Sequence, residues 1–213
     1  SSDLSTNAAT NLVLNGGAFQ YTGTGSSTDR LFSVGSSGGA LDASGTGAVN
    51  FTNTGSMGFN GQSGIRTLTL TGTNTGANTL AAVIGDNGGA TALIKSGAGT
   101  WVLTGGNGYT GTTTISAGVL QIGNGGTTGS LSTSSVLSNN GTLAFNRTDA
   151  VTQGTDFASA IGGSGGVVQA GSGTLTLNGD NTYTGETNVR AGALEGLLRS
   201  RRAGREHGPD HRV

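Results

Sequence analysis

Two apolar residues separated by a single position, preceded by a glycine and a small residue, recur along this chain. The unit reads GAFQY from Gly17, GALDA from Gly39, GAVNF from Gly47 and GTWVL from Gly99. It returns as GVLQI from Gly118, GTLAF from Gly141, GTLTL from Gly173 and GALEG from Gly192, and RTLTL from Arg66 is the same unit without its glycine. Such alternation predicts a strand with one buried face. The inward set is Phe19 and Tyr21, Trp101 and Leu103, Leu120 and Ile122, Leu143 and Phe145, Leu175 and Leu177. Thr, Gln, Ala and Val fill the outward positions, so Val102 and Thr176 are expected to point out or into a lesser pocket. Helical periodicity is scarce.

Spacing selects among all-β folds. The step from Gly99 to Gly118 equals that from Gly173 to Gly192, and the steps from Gly17 to Gly39 and from Gly118 to Gly141 are slightly longer. A sandwich would place its hairpin turns closer, at about 8–12 residues. Periods of roughly 20 residues instead predict a solenoid, in which each strand stacks on its counterpart one coil later, about 4.8 Å away. The strings GTWVLTGGNGYTGTTTISAGVLQ, from Gly99, and GTLTLNGDNTYTGETNVRAGALE, from Gly173, align without a gap. That constant shift predicts a super-repeat of three or four coils. Glycines at the corners allow positive φ. Asn107 and Asn181 sit in turn-like strings, where Asn can bond its own backbone and tolerates the left-handed region.

Composition narrows the partners. Of the 213 residues, 43 are glycine, one is proline and none is cysteine. No Gly-X-Y period appears, so collagen is excluded. The recurring apolar runs argue against disorder. A net charge of −1 argues against nucleic acid and against an anionic membrane surface, both of which call for a basic face. No apolar run is long enough to span a membrane as a helix. The start, SSDLSTNAAT, lacks the features of a signal peptide. Without cysteine there is no disulfide framework and no thiol chemistry.

The strings GSGTLTLNGDNTYTGETNVRAGAL and GAGTWVLTGGNGYTGTTTISAGVLQIG resemble the autotransporter-associated β-strand repeat, also called the passenger-associated transport repeat. IGDNGGATALIKSG and AIGGSGGVVQAG look like the strands that precede such repeats in large bacterial surface proteins. The resemblance implies a right-handed parallel β-helix and a passenger-domain fragment exported across the bacterial outer membrane to the cell surface or beyond. It implies a translocation barrel as partner, which this sequence does not contain. It also implies a structural and adhesive stalk that meets host-cell, matrix or polysaccharide surfaces. In that setting, the missing cysteines and weak charge suit passage of an unfolded chain through a narrow pore.

The rival reading is a carbohydrate-active β-helix enzyme, a polysaccharide lyase or hydrolase. It lacks obvious machinery. The only histidines are His207 and His211, close to the end of the sequence, so a Ser-His-Asp triad would draw its base from there. Zinc needs three or four His, Cys or carboxylate ligands. Glycosidases need two facing carboxylates, whereas Asp86, Asp149, Asp156, Asp180 and Glu186 are scattered, one per coil or fewer. Lys95, the only lysine, has no Asp cluster beside it to hold a lyase's calcium. DNGG at Asp86 lacks the nonapeptide period of calcium-binding repeats. GGNG and GTG strings lack the Lys-Ser/Thr pair of a phosphate loop. Trp101 could be a sugar platform, but its alignment with Leu175 places it inside the coil. Tyr109 and Tyr183 are expected to pack at a corner. NFT at Asn50, NGT at Asn140 and NRT at Asn146 fit a glycosylation pattern and are read as chance in a bacterial protein. No catalytic, cofactor or metal residue is therefore assigned.

The organisation expected is a solenoid over residues 1–196 and a separate basic tail over 197–213. After Gly196 the chain reads LLRSRRAGREHGPDHRV, which holds half of the ten basic residues, both histidines and the only proline. The tail is either a binding segment or the product of a shifted frame or vector. A solenoid with open strand edges is also expected to self-associate end to end.

Overall fold

The computed structural model describes residues 8–158 and 160–196. The tail at 197–213, with His207 and His211, lies outside the described residues. Among the described residues a 3-10 turn, Ala9–Asn11, is followed by strands alone. Its strands are β1 (Val13–Leu14), β2 (Ala18–Tyr21), β3 (Thr24–Thr28), β4 (Ser33–Val34), β5 (Gly39–Ala43), β6 (Gly47–Phe51) and β7 (Arg66–Thr71). They continue as β8 (Asn78–Leu80), β9 (Thr91–Lys95), β10 (Thr100–Leu103), β11 (Thr113–Ile115), β12 (Val119–Gly126), β13 (Leu137–Asn139) and β14 (Thr142–Arg147). The last six are β15 (Val151–Thr152), β16 (Ile161–Gly162), β17 (Gly166–Gln169), β18 (Thr174–Leu177), β19 (Thr187–Val189) and β20 (Ala193–Gly196). Every unit read from the glycine-led pattern falls on one of these strands.

All pairs between named strands are parallel, and each joins one turn to the next. One side of the solenoid is a seven-stranded sheet, in the order β2-β5-β7-β9-β11-β13-β16. A second side has eight strands, β3-β6-β8-β10-β12-β14-β17-β19. The third side is more broken. It carries the pair β1-β4, the isolated bridges Ser33↔Gly58 and Ser56↔Val83, and the sheet β15-β18-β20. The chain visits the sides in the same order in every turn, so the expected parallel β-solenoid is the fold.

Turn length varies. The step from Trp101 to its register partner Leu120 is shorter than that from Leu120 to Leu143, which is shorter again than that from Phe51 to Leu80. The last of these turns holds an extra loop between Met57 and Ile65. Inside, vertical columns of side chains fill the coil: Leu80, Leu103, Ile122, Phe145 and Gln169 are successive register partners. Phe51 lies against Phe32, Phe19 and Trp101, with ring centroids 6.0, 5.9 and 6.5 Å apart. Edge-on and offset arrangements of this kind suit the ring quadrupole.

The inward set is buried as expected at Trp101, Leu103, Leu120, Ile122, Leu143, Phe145 and Leu175. Three members differ. Phe19, Tyr21 and Leu177 are only partly buried, because each lies near an end of the described stack and lacks a full turn on one side. Val102 is buried but outside the main core cluster, in keeping with the lesser pocket expected for it, whereas Ala144, read as outward, is buried, flanked in register by Gln121 and Val168.

Candidate functional site: the repeated corners

The echo of the Gly99 string at Gly173 does not return to the same side of the molecule. From Trp101 on β10, three turns of the second side lead through Leu120 and Leu143 to Val167 on β17. Further along the chain, Leu175 lies on the third side, paired with Val151 and Leu194. The two copies are thus three turns and one side apart. β9 on the first side corresponds to β17 on the second, and β10 and β12 on the second correspond to β18 and β20 on the third. What the copies share must therefore be chemistry local to the coil, independent of the side on which it sits.

That chemistry is a set of corner clasps. Asn107 accepts a hydrogen bond at Oδ1 from Ile84 N (2.9 Å) and donates from Nδ2 to Ser130 O (2.8 Å), joining the turns before and after its own. Asn181 accepts at Oδ1 from Ile161 N (2.9 Å) and donates from Nδ2 to Gln153 Oε1 (2.9 Å). The expectation that these residues bond their own backbone in a left-handed turn is corrected. They clamp neighbouring turns, and the one described non-glycine residue with positive φ is Asn60. Tyr109 is wholly buried and shares a hydrogen bond with Thr113 Oγ1 (2.7 Å), which in turn meets Ser135 Oγ (2.8 Å). Tyr183 and Thr187 repeat the first contact at 2.6 Å. Burial pushes the Tyr109 phenol well up, against the opposing effect of its hydrogen bonds. It stays neutral and acts as a corner strut.

Lys95 and Gln169 occupy matching places and do the same work with different chemistry. The Lys95 ammonium lies inside the coil and donates to the carbonyls of Ser96 (2.7 Å), Gly97 (2.8 Å) and Ala117 (3.1 Å). Gln169 Nε2 donates to Gly171 O (3.0 Å) and Gly173 O (2.7 Å). Desolvation lowers the Lys95 pKa to about 8. Gly118 and Gly192, also matched, turn the corner at φ +67° and +64°, and a Cβ on either would strike the carbonyl of Gly99 or Gly173 respectively. Only glycine meets both demands.

The candidate carboxylates serve the same scaffold. Asp86 accepts from Thr91 N (2.7 Å), Thr110 N (3.0 Å) and Thr110 Oγ1 (2.6 Å), tying one turn to the next. Burial alone would raise its pKa, but the hydrogen bonds from Thr110 and Thr91 hold it below the ordinary carboxylate value. Asp149 forms a two-point pair with Arg147 at 2.6 and 2.9 Å. Asp156 accepts from Thr152 N at 2.7 Å. Glu186 is exposed, with Asn188 Nδ2 at 3.5 Å. Asp180 is exposed on the turn that follows β18. Trp101 is buried and donates to Thr71 O at 2.8 Å, so it offers no platform to a sugar.

Sequence reasoning missed Arg66. It is buried, caps the carbonyls of Val34, Gln62, Gly64 and Asn87, and lies 4.7 Å from the Phe59 ring centroid. Desolvation lowers its pKa, with Asp86 opposing. Arg66 is in phase with Leu68 and Leu70, so the alternation itself places it on the inward face, and a count of apolar residues alone passes over it. Asn78 is a second such residue: it bonds Val49 N and Thr100 O from a buried site. A shallow groove of about 420 Å³ runs past Asn107, Ser130, Ser132, Ser134 and Asp156. It brings one carboxylate to a hydroxyl-lined surface. Among the described residues no three His, Cys, Asp or Glu side chains gather to hold a metal, and no helix is long and apolar enough to cross a membrane.

Stacked parallel turns, sealed at their corners by repeated clasps, define the chain as a β-solenoid repeat protein. Residues 93–122 and 167–195 match the family model for the passenger-associated-transport-repeat, so the chain carries two copies of that repeat. It is also 50% identical, over 152 residues, to a protein named adhesin BmaC autotransporter from Brucella suis biovar 1 (strain 1330). That match covers 70% of this chain and 4% of the relative, so the chain spans a small part of the relative's length. No solved structure matches it.

Proposed function

We propose that this chain is a rigid stalk segment of a surface adhesin, and that each transport repeat is a self-closing unit that lets the passenger fold as it leaves the cell. The observation that carries the reading is the pairing inside each repeat. Within residues 93–122, β9 pairs with β11 and β10 with β12. Within 167–195, β17 pairs with β19 and β18 with β20. Each repeat thus contains both layers of a two-turn stack, together with the Tyr–Thr contact and the Lys95 or Gln169 clasp. Its partners are close in sequence: Leu93 meets Thr113, Trp101 meets Leu120, Val167 meets Thr187 and Leu175 meets Leu194. Of the remaining strand pairs only β1-β4, at the end of the stack, closes as soon. The rest close later, as Ala18 with Ala40, Arg66 with Thr91 and Phe51 with Leu80 show. Shorter closure costs less entropy and favours earlier formation. A unit that folds once a single repeat has emerged would oppose backward sliding through the translocation barrel.

The stalk role makes the chain non-catalytic. Contrary to the expected one per coil, Asp149 and Asp156 share a turn, as do Asp180 and Glu186, but Asp86 is engaged in tying turns together and Asp149 is held by Arg147. The partners are then a host-cell, matrix or polysaccharide surface contacted by the larger protein, and the setting is the bacterial surface or its surroundings. Pulse-labelled hydrogen exchange during refolding of the full chain tests the central point. Amides of 93–122 should gain protection before those of the long turn between β6 and β8. Simultaneous protection, or earlier protection of the long turn, would remove the repeat's special role. Cleavage of any member of a polysaccharide panel would bring back the enzyme reading.

A further inference from the structure

Seven Asn–Gly steps occur in the chain, at Asn15, Asn60, Asn87, Asn107, Asn124, Asn140 and Asn178. This dipeptide can cyclise: the glycine nitrogen attacks Asn Cγ, a C–N bond forms, the Cγ–Nδ2 bond breaks, and ammonia leaves. The glycine N–H proton passes to solvent base, and solvent returns one proton to the departing Nδ2 to complete the ammonia. Water then opens the succinimide at either carbonyl to give aspartate or isoaspartate. The step needs a nucleophilic nitrogen that is not held elsewhere and a backbone free to rotate.

The structure denies one or the other of those conditions at six of the seven steps. Gly16 N donates to Gly38 O (2.7 Å), Gly108 N to Ile84 O (3.0 Å), Gly141 N to Asn139 Oδ1 (3.2 Å) and Gly179 N to Gln153 Oε1 (2.9 Å). Asn87 is fixed at both ends, its Nδ2 on Gln62 O (3.1 Å) and its own carbonyl under Gly64 N (3.0 Å). Asn60 and Gly61 lie in a tight turn closed by Gln62 N donating to Phe59 O at 2.9 Å, which opposes rotation.

Asn124 stands apart from these. It is exposed, and its side chain makes no hydrogen bond among the described residues. It lies within the bulge of β12, where pairing with β14 breaks between Ile122 and Gly126. Nothing approaches the Cβ positions of Gly125 or Gly126 within 4 Å. Ring closure there disturbs no clasp and no core column.

We infer that Asn124 is a spontaneous deamidation site of the folded protein, taking only water as co-reactant. Each event adds a carboxylate to a chain whose net charge is −1. Isoaspartate lengthens the backbone by one carbon at a bulge, the place where an extra main-chain atom is tolerated.

The test is incubation of the full chain in mildly alkaline buffer, followed by peptide mass spectrometry at all seven steps. Deamidation at Asn124 should run about tenfold faster, or more, than at Asn107, whose turn must first open. In denaturant the seven rates should converge, which assigns the selectivity to the fold. The Asn124→Gln variant should lose the dominant acidic form seen on anion exchange. Fastest reaction at Asn60 or Asn87, or equal rates in the folded chain, would overturn the proposal.

Discussion

Lys95 carries a positive charge in a place built for hydrogen bonds to corner carbonyls, and its matched residue shows that the charge itself is dispensable. Gln169 makes the same kind of contacts without one. Lys95 titrates at about 8 when folded and at about 10.4 when unfolded, so the unfolded chain holds the extra proton in between. Stability therefore rises with pH across that window. Lys95→Gln should remove the rise while leaving stability at neutral pH within about 1 kcal/mol of the parent. Paired denaturant titrations from neutral to alkaline pH check this, and a rise of the same size in the variant would mean that another group is responsible. Burial makes a second prediction at this scale. Leu103→Ala should cost about 2–5 kcal/mol, since Leu103 is wholly enclosed. Leu177→Ala should cost less, because Leu177 is only partly buried; equal losses in urea melts would contradict that ordering.

Among the elements, strands were legible and sides were not. The glycine-led alternation marks each strand because a half-buried strand must alternate, whichever side of the coil it occupies. Which side it occupies depends on the length of every turn before it. Those lengths differ, from the short step between Trp101 and Leu120 to the long one between Phe51 and Leu80, and the differences accumulate without any local mark. That is why the echo of Gly99 at Gly173 was readable while its rotation by one side was not. The recurrence of Asn, Tyr and Gly in the phrase was visible. The partners of Asn107 and Asn181 were not, since they are atoms of neighbouring turns, a full coil away along the chain. Arg66 and Asn78 are in phase with the buried leucines of their strands, and what hid their inward turn was that neither is apolar. The corner glycine gives the test at this scale. Gly118→Ala demands a left-handed backbone and meets the Gly99 carbonyl, whereas Gly106→Ala meets nothing within 4 Å at ordinary φ. The first should destabilise by more than ~1 kcal/mol and the second by little. Thermal melts of the two variants decide it, and similar losses would mean that the corner can relax.

At the scale of the whole molecule, a solenoid is close to one-dimensional: each turn touches only its neighbours, and stability is roughly a sum over turns and their interfaces. A turn should therefore be removable if the cut respects the register. Gly118 and Gly141 precede register partners, Val119 and Thr142, so deletion of residues 119–141 joins one glycine corner directly to the strand that followed the other. After the cut, β14 can lie on β10, with Leu143 over Trp101 and Phe145 over Leu103, because both pairs share the same columns. On the adjoining side β11 meets β16, with Ile161 over Thr113, since Leu137 was the partner of both. The side-chain losses include Ser130 for the Asn107 clasp, Ser135 for Thr113, Gly129 O for Arg147, and the bonds of Asn139 and Asn140 to Gly166 and Ser164. The shortened chain should keep its β-type circular dichroism and unfold with an m-value lower by roughly one turn's share of the buried surface, one in eight by the strand count of the longer sheet. Deleting only 119–130 removes half of the same turn and places the following strands on the wrong sides, turning core columns outward. That variant should fail to fold. If instead the two deletions behave alike, whether both folded or both unfolded, the turn is not the unit from which this passenger is built.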